Sequence, residues 1–312
     1  MSTHGSKRAI IAALLANLGI AIAKFFGFIV TRSSSMLAES IHSVADTGNQ
    51  VLLLFGTKRG SRAPTTEHPF GYGRERYFWS FVVSIVLFTL GGIFAIYEGI
   101  EKILHPHEID SVAWAIGILG VSIVLEANSF RTAVNESRPY KQNHSWFAFI
   151  RRTKTPELPV VLLEDTGALV GLVFALIAVS LSAVTQNSMW DGIGSIVIGS
   201  LLCIIAVLLA SEMKSLLIGE AASSEDNEQI LQALSTAPHV VSVVSLRTLQ
   251  LGPDEVLVTA KVTFERQLSV EQLAAAVDTA EAAIRQRVPA ATRILIEPGQ
   301  PKSLAGDDKT PA

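Results

Sequence analysis

The sequence predicts a polytopic α-helical membrane protein with six transmembrane helices, followed by a small α+β domain. Hydrophobic residues make up 49% of the chain and charged residues only 17%, whereas charged residues make up about a quarter of a typical soluble domain. Six segments are apolar over the roughly 20 residues that a helix needs to cross a bilayer. After residue 216 the pattern becomes that of a soluble domain. We therefore predict a membrane domain over 9–216, an α+β domain over 220–298 and a disordered tail over 299–312.

The six predicted spans follow one another at short intervals. They lie at 9–31, 34–56, 78–102, 111–134, 158–184 and 190–216. No short apolar core with a small-residue cleavage site stands at the N-terminus, so the first span is interpreted as a membrane helix and not as a removed signal peptide. Lys24 in the first span and Glu126 in the fourth are interpreted as a candidate ion pair between helices.

Positive charge is concentrated in two of the five connections. Their basic residues are Lys58, Arg59, Arg62, Arg74 and Arg76 after the second span, and Arg138, Lys141, Arg151, Arg152 and Lys154 after the fourth. Because positive loops remain on the cytoplasmic side, both termini and the α+β domain are predicted to be cytoplasmic. No Arg-rich and Ser-rich transit peptide precedes the first span, so the inner membrane of a bacterium is the predicted location.

The C-terminal part of the sequence predicts an α-β-β-α-β order. Its first helix follows Ser223 or Ser224, each a suitable N-cap. Two strand-like runs, HVVSVVSLRTLQL and DEVLVTAKVTF, are joined by a Gly-Pro-Asp turn. Ser269 and Gln272 form a capping box for the second helix, and TRILIEP forms the last strand. This order predicts a small open sheet that helices cover on one side.

Composition argues against several classes of protein. The net charge of −3 gives no reason to expect a nucleic-acid partner. The only cysteine, Cys203, lies in an apolar run, which argues against a disulfide framework or a thiolate metal cluster. No HExxH motif is present, so an intramembrane metallohydrolase is disfavoured and the chain is not expected to be an enzyme. We expect no prosthetic group.

The second span carries polar side chains on one face. At about 100° per residue, Glu39, His42 and Asp46 fall within roughly 60° of one another, and Asn49 extends the same stripe. A charged group at the centre of a bilayer costs about 2.5–3.5 kcal/mol, so the stripe predicts a function, which we interpret as a path for a metal ion. His42 and Asp46 can bind one cation, and their nitrogen and oxygen atoms suit Zn²⁺, Mn²⁺, Fe²⁺ or Co²⁺. The alternative is a buried His–Asp hydrogen bond between two helices.

Glu39, the fifth span and one loop supply further candidates. Glu39 would complete the coordination or take up a proton, and a glutamate that reaches interfacial water is equally consistent. Glu164 and Asp165 are adjacent and point about 100° apart, so both cannot face one ion equally well. Asp165 is the predicted ligand, and Glu164 is a proton carrier, a group that supports the ligands or the partner of a basic residue. His68 is a candidate entry site for metal, although a histidine beside Pro-Phe-Gly is more often structural.

Three motifs resemble the cation diffusion facilitator family of metal–proton antiporters. They are SSSMLAESIHSVADTGNQ in the second span, HPFGYGRERYFWS at the start of the third and VLLEDTGALVG in the fifth. Together they are most similar to the branch that contains the mitochondrial zinc transporter nine of animals and its bacterial relatives. The resemblance implies a homodimer that moves Zn²⁺ or a similar ion out of the cytoplasm or matrix in exchange for protons. It also implies a ferredoxin-like fold for the α+β domain.

The resemblance further implies a tetrahedral site, from which this sequence departs at one position. One His/Asp-xxx-Asp pair maps onto His42 and Asp46, and the aspartate of a second pair maps onto Asp165. The first ligand of that second pair falls on Val161, which has no donor atom. The remaining ligand would then be Glu39, Glu164, Asn49 or water.

The α+β domain departs from the family pattern as well. Many bacterial members bind regulatory metal there through several histidines, one of them just before the final Glu/Asp-Pro. Leu295 occupies that position here and only His239 remains, so we predict a domain that dimerises without a metal cluster. The predicted function is proton-coupled export of a divalent metal, with zinc as the first substrate. The alternatives are a transporter selective for manganese, iron or cobalt, and a dimerisation partner without transport activity, which Val161 favours.

Overall fold

Long helices make up the N-terminal unit of the chain and a small α+β unit makes up the rest, with the division after Ile218. The computed structural model describes residues 4–31, 34–105, 112–141 and 143–300, and of residues 4–5, 28, 30–31, 34–42 and 45 it describes the backbone alone. Most of the predicted disordered tail falls outside these residues, so its disorder stays a prediction.

The described ranges of the N-terminal unit contain eight α-helices and one π-helical segment. They are α1 (His4–Thr31), α2 (Ser34–Gly60), α3 (Glu75–Val86), the π-helical segment Leu87–Ile93, α4 (Phe94–Leu104), α5 (Val112–Lys141), α6 (Trp146–Arg152), α7 (Glu157–Thr185) and α8 (Met189–Ile218). The segment from α3 to α4 is one continuous helix, which corresponds to the third predicted span.

Five helical segments in the described residues are long and apolar enough to cross a membrane, judged by length and composition. They are Ser6–Gly27, Glu75–Leu104, Val112–Lys141, Glu157–Thr185 and Met189–Ile218. The predicted second span corresponds to α2, which packs against α1 and α3. Its 27 residues extend about 40 Å at 1.5 Å per residue, but they include more polar side chains than the other spans. These helices confirm the predicted polytopic α-helical class.

Three local features of this unit differ from the sequence prediction. The sequence does not predict the π-helical turn at Leu87–Ile93, because the hydrophobic pattern of this mostly apolar run does not distinguish it from an α-helix. The short helix α6 lies in a connection that the sequence predicts as a loop, and Ser145 caps it by accepting a hydrogen bond from the Ala148 N–H. α5 continues to Lys141, past the predicted end at 134.

One basic residue assigned to a positively charged loop is buried in the structure. Arg76 lies in the first turn of α3, and its side chain is paired with that of Glu157 at the start of α7. It therefore contributes no free positive charge to the connection between α2 and α3. The physical reason is the partner, which is 81 residues away in the sequence and carries the opposite charge.

The apolar core of the N-terminal unit combines side chains from α1, α2, α7 and α8. Its fully buried members include Ala13, Leu53, Leu158, Val160, Val161 and Leu209. Small and branched side chains of this kind let helices approach closely, which is the main source of helix association where lipid replaces water. Val161 thus belongs to the core of the unit.

Glycines set the distance between α8 and the long helix that contains the π-helical segment. A Cβ atom on Gly99 would lie 2.6 Å from the carbonyl oxygen of Gly192, and one on Gly192 would lie 2.7 Å from the carbonyl oxygen of Gly99. Gly92 and Gly199 face each other in the same way, with a Cβ on Gly199 only 2.7 Å from the Gly92 oxygen. No side chain fits at these positions without moving one backbone away from the other.

We expect Gly199→Ala to destabilise the N-terminal unit. Inserting a methyl group into a closely packed contact typically costs about 1–3 kcal/mol, and here the clashing atoms belong to backbone. Thermal unfolding of the purified protein in detergent measures the effect. Gly120→Ala on α5 is the matched control, because nothing lies within 4 Å of its Cβ position and alanine is the better helix former. Equal unfolding midpoints for the two variants would contradict the packing argument.

The C-terminal unit confirms the predicted α-β-β-α-β order. Its elements are α9 (Ser224–Ser235), β1 (Val240–Gly252), β2 (Glu255–Phe264), α10 (Val270–Arg287) and β3 (Arg293–Pro298). The sheet order is β1-β2-β3, with β1 antiparallel and β3 parallel to β2. Alternate residues of β2 are buried from Val256 to Phe264, as expected for a sheet with helices on one face.

The caps of the two helices in this unit agree with the sequence prediction. Ser223 accepts a hydrogen bond from the Asp226 N–H at 3.0 Å, which satisfies a donor at the start of α9. At the start of α10, Ser269 accepts from the Gln272 N–H at 3.2 Å, and the Gln272 side chain accepts from the Ser269 N–H at 2.8 Å. The predicted capping box is therefore present.

Candidate metal centre

A cavity of about 250 Å³ lies inside the N-terminal unit, between α1, α2, α5, α7, α8 and the helix that contains α4. Most of its lining is apolar. Its charged and amide side chains are Asn17, Lys24, Asp46, Glu98, Lys102, Glu126, Glu164 and Asp191. Ionisable groups inside a membrane domain are costly and mark ion pathways in general, so the cavity is the candidate functional site.

Glu164 on α7 is held by amide groups of α2. Its Oε1 accepts a hydrogen bond from Asn49 Nδ2 at 3.0 Å, and its Oε2 accepts one from Gln50 Nε2 at 2.9 Å. Gln50 in turn accepts from Asn17 Nδ2 of α1 at 3.2 Å. All four side chains are buried. Both oxygens of Glu164 are thus occupied by a hydrogen-bonded chain that joins α1, α2 and α7.

Asp165, the next residue on α7, faces α5 instead. Its Oδ2 accepts a hydrogen bond from Ser129 Oγ at 2.7 Å, and its side chain is also hydrogen-bonded to Glu126. Glu126 and Ser129 are three residues apart and therefore lie on the same face of α5. Adjacent residues of α7 thus bind different neighbours, as the 100° between them requires.

The carboxylate groups around the cavity interact with one another. Glu126 experiences the charges of Asp46, Glu164 and Asp165, and Glu164 experiences that of Asp46. Ionised carboxylates only accept hydrogen bonds, so the contact between Glu126 and Asp165 requires a shared proton or a cation. Carboxylates in general bind a divalent cation when they are deprotonated and release it when they are protonated.

The structure places four of the predicted site residues in one buried region. Asp46 lines the cavity, Asn49 binds Glu164, and Asp165 lies on the adjoining face of α7. The side chains of His42 and Glu39 are outside the described residues, although both positions lie in α2. Among the side chains that the structure describes, no three of His, Cys, Asp or Glu are grouped closely enough to hold a metal ion. The ligand set His42, Asp46 and Asp165 therefore stays a prediction.

Val161, at the position of the family's remaining ligand, lies one turn before Asp165 and has no exposed surface.

One buried acceptor on α2, the helix that contacts α7 through Asn49, is not paired. The Oδ1 atom of Asn49 is buried and has no hydrogen-bond partner among the described residues. Buried carbonyl oxygens are normally paired with a donor or an ion.

His68 lies in the exposed loop between α2 and α3. The backbone N–H of His68 donates to Thr65 Oγ1 at 3.2 Å, and its backbone carbonyl oxygen accepts from the Gly71 N–H at 2.9 Å. Gly71 has a φ of 84°, which favours glycine. The imidazole ring packs edge-on against Tyr72, with 4.6 Å between ring centroids. These contacts are those of a turn, and the role of His68 in metal entry stays a prediction.

The sequence did not point to Gln50 or Ser129, and it predicted for Glu126 an ion pair with Lys24 and, as a weaker possibility, a direct part in transport. Helical spacing offers a signal for each of them. Ser129 lies three residues after Glu126, and Gln50 lies four after Asp46, so each extends a polar face. Spacing within one helix does not predict which other helix such a polar face contacts.

Curated relatives match most of this chain. The proton-coupled zinc antiporters SLC30A9, mitochondrial, of Mus musculus and Homo sapiens are each 32% identical over 244 residues, which is 78% of this chain and 43% of the relative. Metal tolerance protein C4 of Arabidopsis thaliana is 30% identical over 268 residues, or 85% of this chain and 59% of the relative. The chain thus spans about half the length of the curated relatives it matches.

The predicted location in a bacterial inner membrane is wrong. The mouse and human relatives are named as mitochondrial proteins. The prediction rested on the residues before the first span, and these carry no information on targeting in a chain that covers 43% of the mouse relative. Placement in a membrane through several helices is supported.

Family models match both units of the chain. The cation efflux transmembrane domain matches residues 10–218, and the cytoplasmic domain of cation efflux proteins matches residues 222–298. The first match alone covers more than half of the sequence, and the two matches agree with the two units of the fold. The resemblance that the three motifs indicated is thereby confirmed. The chain belongs to the cation efflux family, the cation diffusion facilitators.

Proposed function

We propose that this chain is a secondary antiporter that moves a divalent metal cation, zinc first among them, across a membrane in exchange for protons. The observation that carries the proposal is the buried group of carboxylates around a cavity inside an apolar helical unit. The names of the mouse and human relatives support both the ion and the coupling. Manganese, iron or cobalt is the alternative substrate.

The proposed site consists of His42, Asp46 and Asp165. Imidazole and carboxylate bind a metal only when they are deprotonated, so binding from one side releases protons. A rocking movement of the helices then exposes the site to the other side, where protons displace the metal. α7 is suited to this exchange, because it contacts α2 through Glu164 and α5 through Asp165.

We expect a pH gradient to drive zinc into proteoliposomes that contain the purified protein. Vesicles that are acidic inside should accumulate zinc from a neutral buffer, since each unit of pH difference supplies about 1.36 kcal/mol per proton exchanged. A trapped zinc-sensitive dye measures the flux, and protein-free vesicles with the same gradient are the control. Zinc entry that is equally fast with and without the gradient would contradict proton coupling. Repeating the assay with Mn²⁺, Fe²⁺ and Co²⁺ distinguishes the alternative substrates.

The C-terminal unit is the proposed dimerisation module. It matches the cytoplasmic domain of the family, and the outer side of β1 presents Val241 with 63% of its surface exposed. Among its described residues, no group of His, Cys, Asp or Glu is arranged to hold a metal, and His239 is bonded to Glu265 at 3.0 Å. We therefore propose a homodimer whose C-terminal contact needs no metal cluster.

A second candidate function is a dimerisation partner that does not transport. Val161 favours it, because the valine removes a ligand that the family site uses. Zinc binding by the purified protein decides between the two. Binding that is lost in His42→Ala supports the transporter, whereas a protein that dimerises and binds no zinc supports the partner.

A further inference from the structure

We propose that the buried pair of Arg76 and Glu157 is a latch, which closes the cytoplasmic end of the helical unit and opens to admit the cation. The latch consists of these two side chains and of Thr57, which donates to Glu157 Oε1 at 3.3 Å. None of the three residues lines the cavity. The inference rests on the proposed function, because an end that opens and closes is needed only if an ion passes through the unit.

The family match indicates which ends of the helices face the cytoplasm. α8 ends at Ile218, shortly before the unit that matches the cytoplasmic domain of the family. Counted back from α8 through α7, α5 and the long helix Glu75–Leu104, each span crosses in the direction opposite to the next. The starts of α7 and α3 therefore lie on the same side as the end of α8. Arg76 and Glu157, which belong to those starts, thus lie at the cytoplasmic end of the unit.

The cavity extends from the middle of the helices toward the opposite side. On α8 its lining runs from Asp191 in the first turn to Leu202, near the middle of the helix. On α7 the lining begins at Glu164, about two turns after the start of the helix. Lys102 in the last turn of α4 is paired with Asp191 at 2.9 Å, and both line the cavity with partly exposed side chains. The cavity thus reaches the extracytoplasmic ends of α4 and α8 and stops short of the cytoplasmic ends.

The latch joins two groups of helices. α8 and the long helix Glu75–Leu104 approach each other backbone to backbone at two glycine contacts and form one group. α1, α2, α5 and α7 pack against one another and form the other. Arg76 belongs to the first group, whereas Glu157 and Thr57 belong to the second. The two groups can part at the cytoplasmic end only if Arg76 and Glu157 separate.

A charged pair suits a contact that has to break. Arg76 and Glu157 are 6% and 1% exposed, and Arg76 Nη2 donates to Glu157 Oε2 at 2.8 Å. Replacing a buried ion pair with apolar side chains is often neutral or stabilising, so stability alone does not favour charges at this position. When the helices separate, water hydrates both charges again and offsets the lost contact. An apolar contact would instead expose its surface to water, which is unfavourable.

The test is the reactivity of two reporter cysteines in the purified full-length protein, after Cys203→Ala removes the only native thiol. Ser195→Cys reports on the cavity, which Ser195 lines. Leu53→Cys reports on the cytoplasmic half, where Leu53 lies one turn before Thr57 and is 1% exposed. A small charged methanethiosulfonate modifies both. With the latch intact, we expect Ser195→Cys to react faster than Leu53→Cys.

Glu157→Gln removes one charge of the latch. We expect Leu53→Cys to react about 10-fold faster and Ser195→Cys to react more slowly, because a minor state that is open to the cytoplasm gains population. A pair that only stabilises the fold predicts another result, since loss of stability exposes both cysteines together. Unchanged reactivity of Leu53→Cys, or faster reaction of both cysteines, overturns the latch.

Glu136→Gln is the matched control for the loss of a glutamate charge, because Glu136 faces Arg8 at 3.9 Å in a partly exposed pair. We expect it to change neither reporter. Should Glu157→Gln fail to fold, Glu157→Asp keeps the charge but shortens the side chain. The same opposite changes in the two reporters are expected for it, and their absence overturns the latch.

Cross-linking tests whether the two groups part during transport. In Arg76→Cys/Glu157→Cys with Cys203→Ala, a short bifunctional methanethiosulfonate should stop zinc flux into acid-loaded proteoliposomes, and a reductant should restore the flux. Zinc flux that continues after complete cross-linking overturns the latch and leaves the proposed function standing. If the wild-type protein carries no zinc under the pH gradient, the proposed function is wrong, and the two reporters still decide whether the cytoplasmic end opens.

Discussion

Replacing Asp165 with asparagine should abolish proton-driven zinc flux and leave the protein folded. The amide has nearly the shape of the carboxylate and can still accept the hydrogen bond that Ser129 donates at 2.7 Å. Its Nδ2 atom can donate to Glu126, so the contact between two acids becomes an ordinary hydrogen bond. What disappears is the negative charge and the proton-exchanging group at the predicted ligand position.

The expected loss of zinc affinity is about 100-fold or more, since even groups that only orient a ligand cost about 10-fold to 100-fold when they are removed. Ser129→Ala provides the graded comparison. It removes the hydrogen bond to Asp165 but keeps the carboxylate, so its effect should fall at the low end of that range. Flux into acid-loaded proteoliposomes and zinc binding in detergent measure the two variants side by side.

Asp278→Asn is the matched control for the loss of an aspartate charge. Asp278 is exposed on α10 in the C-terminal unit and is not among the residues that line the cavity. We expect its flux to equal that of the wild type. If Asp165→Asn transports zinc as fast as Asp278→Asn does, Asp165 is not a ligand and the proposed site on α7 is wrong.

The sequence predicts the helices better than it predicts what they touch. Apolar length fixes the long helices, because a span in lipid must satisfy its own backbone hydrogen bonds. The Ser223 cap and the Ser269–Gln272 box follow from local chemistry and are found as predicted. The π-helical turn at Leu87–Ile93 lies within an apolar run, and no side-chain pattern in the sequence distinguishes it from an α-helix.

The candidate site shows the same division between local and distant information. Helical spacing correctly predicts that Glu164 and Asp165 diverge, because that geometry is contained in one helix. Their partners are far away in the sequence: Asn49 is 115 residues from Glu164, and Ser129 is 36 residues from Asp165. Only packing of α2 and α5 against α7 brings them together. The contact of Glu126 with Asp165 was not predicted for the same reason.

The second large effect concerns the ion pair between Arg76 and Glu157. Both side chains are buried, with exposures of 6% and 1%, and the pair is bidentate, with Arg76 Nη2 donating to Glu157 Oε2 at 2.8 Å. Thr57 Oγ1 donates to Glu157 Oε1 at 3.3 Å. The pair therefore joins the end of α2 to the starts of α3 and α7, and each charge depends on the other for compensation.

We expect Glu157→Gln to destabilise the N-terminal unit by about 3–5 kcal/mol, because it removes the counter-charge that Glu157 supplies to the buried Arg76 guanidinium. Arg76→Met should have an effect of similar size, since it leaves the carboxylate unpaired. Unfolding in mixed detergent micelles with increasing denaturing detergent measures both. The exposed pair of Arg8 and Glu136 gives the reference, and Glu136→Gln should change stability by less than about 1 kcal/mol.

The double variant Arg76→Met/Glu157→Leu tests whether the single variants lose stability because each leaves one buried charge uncompensated. Removing both charges together also removes the cost of burying them, so the double variant should be markedly more stable than either single one. Single variants that are as stable as the wild type would show that water reaches these groups. The double variant could instead lose as much free energy of unfolding as the two single variants lose together. That result would show that the two charges do not stabilise each other, and it would contradict the proposed ion pair between α3 and α7.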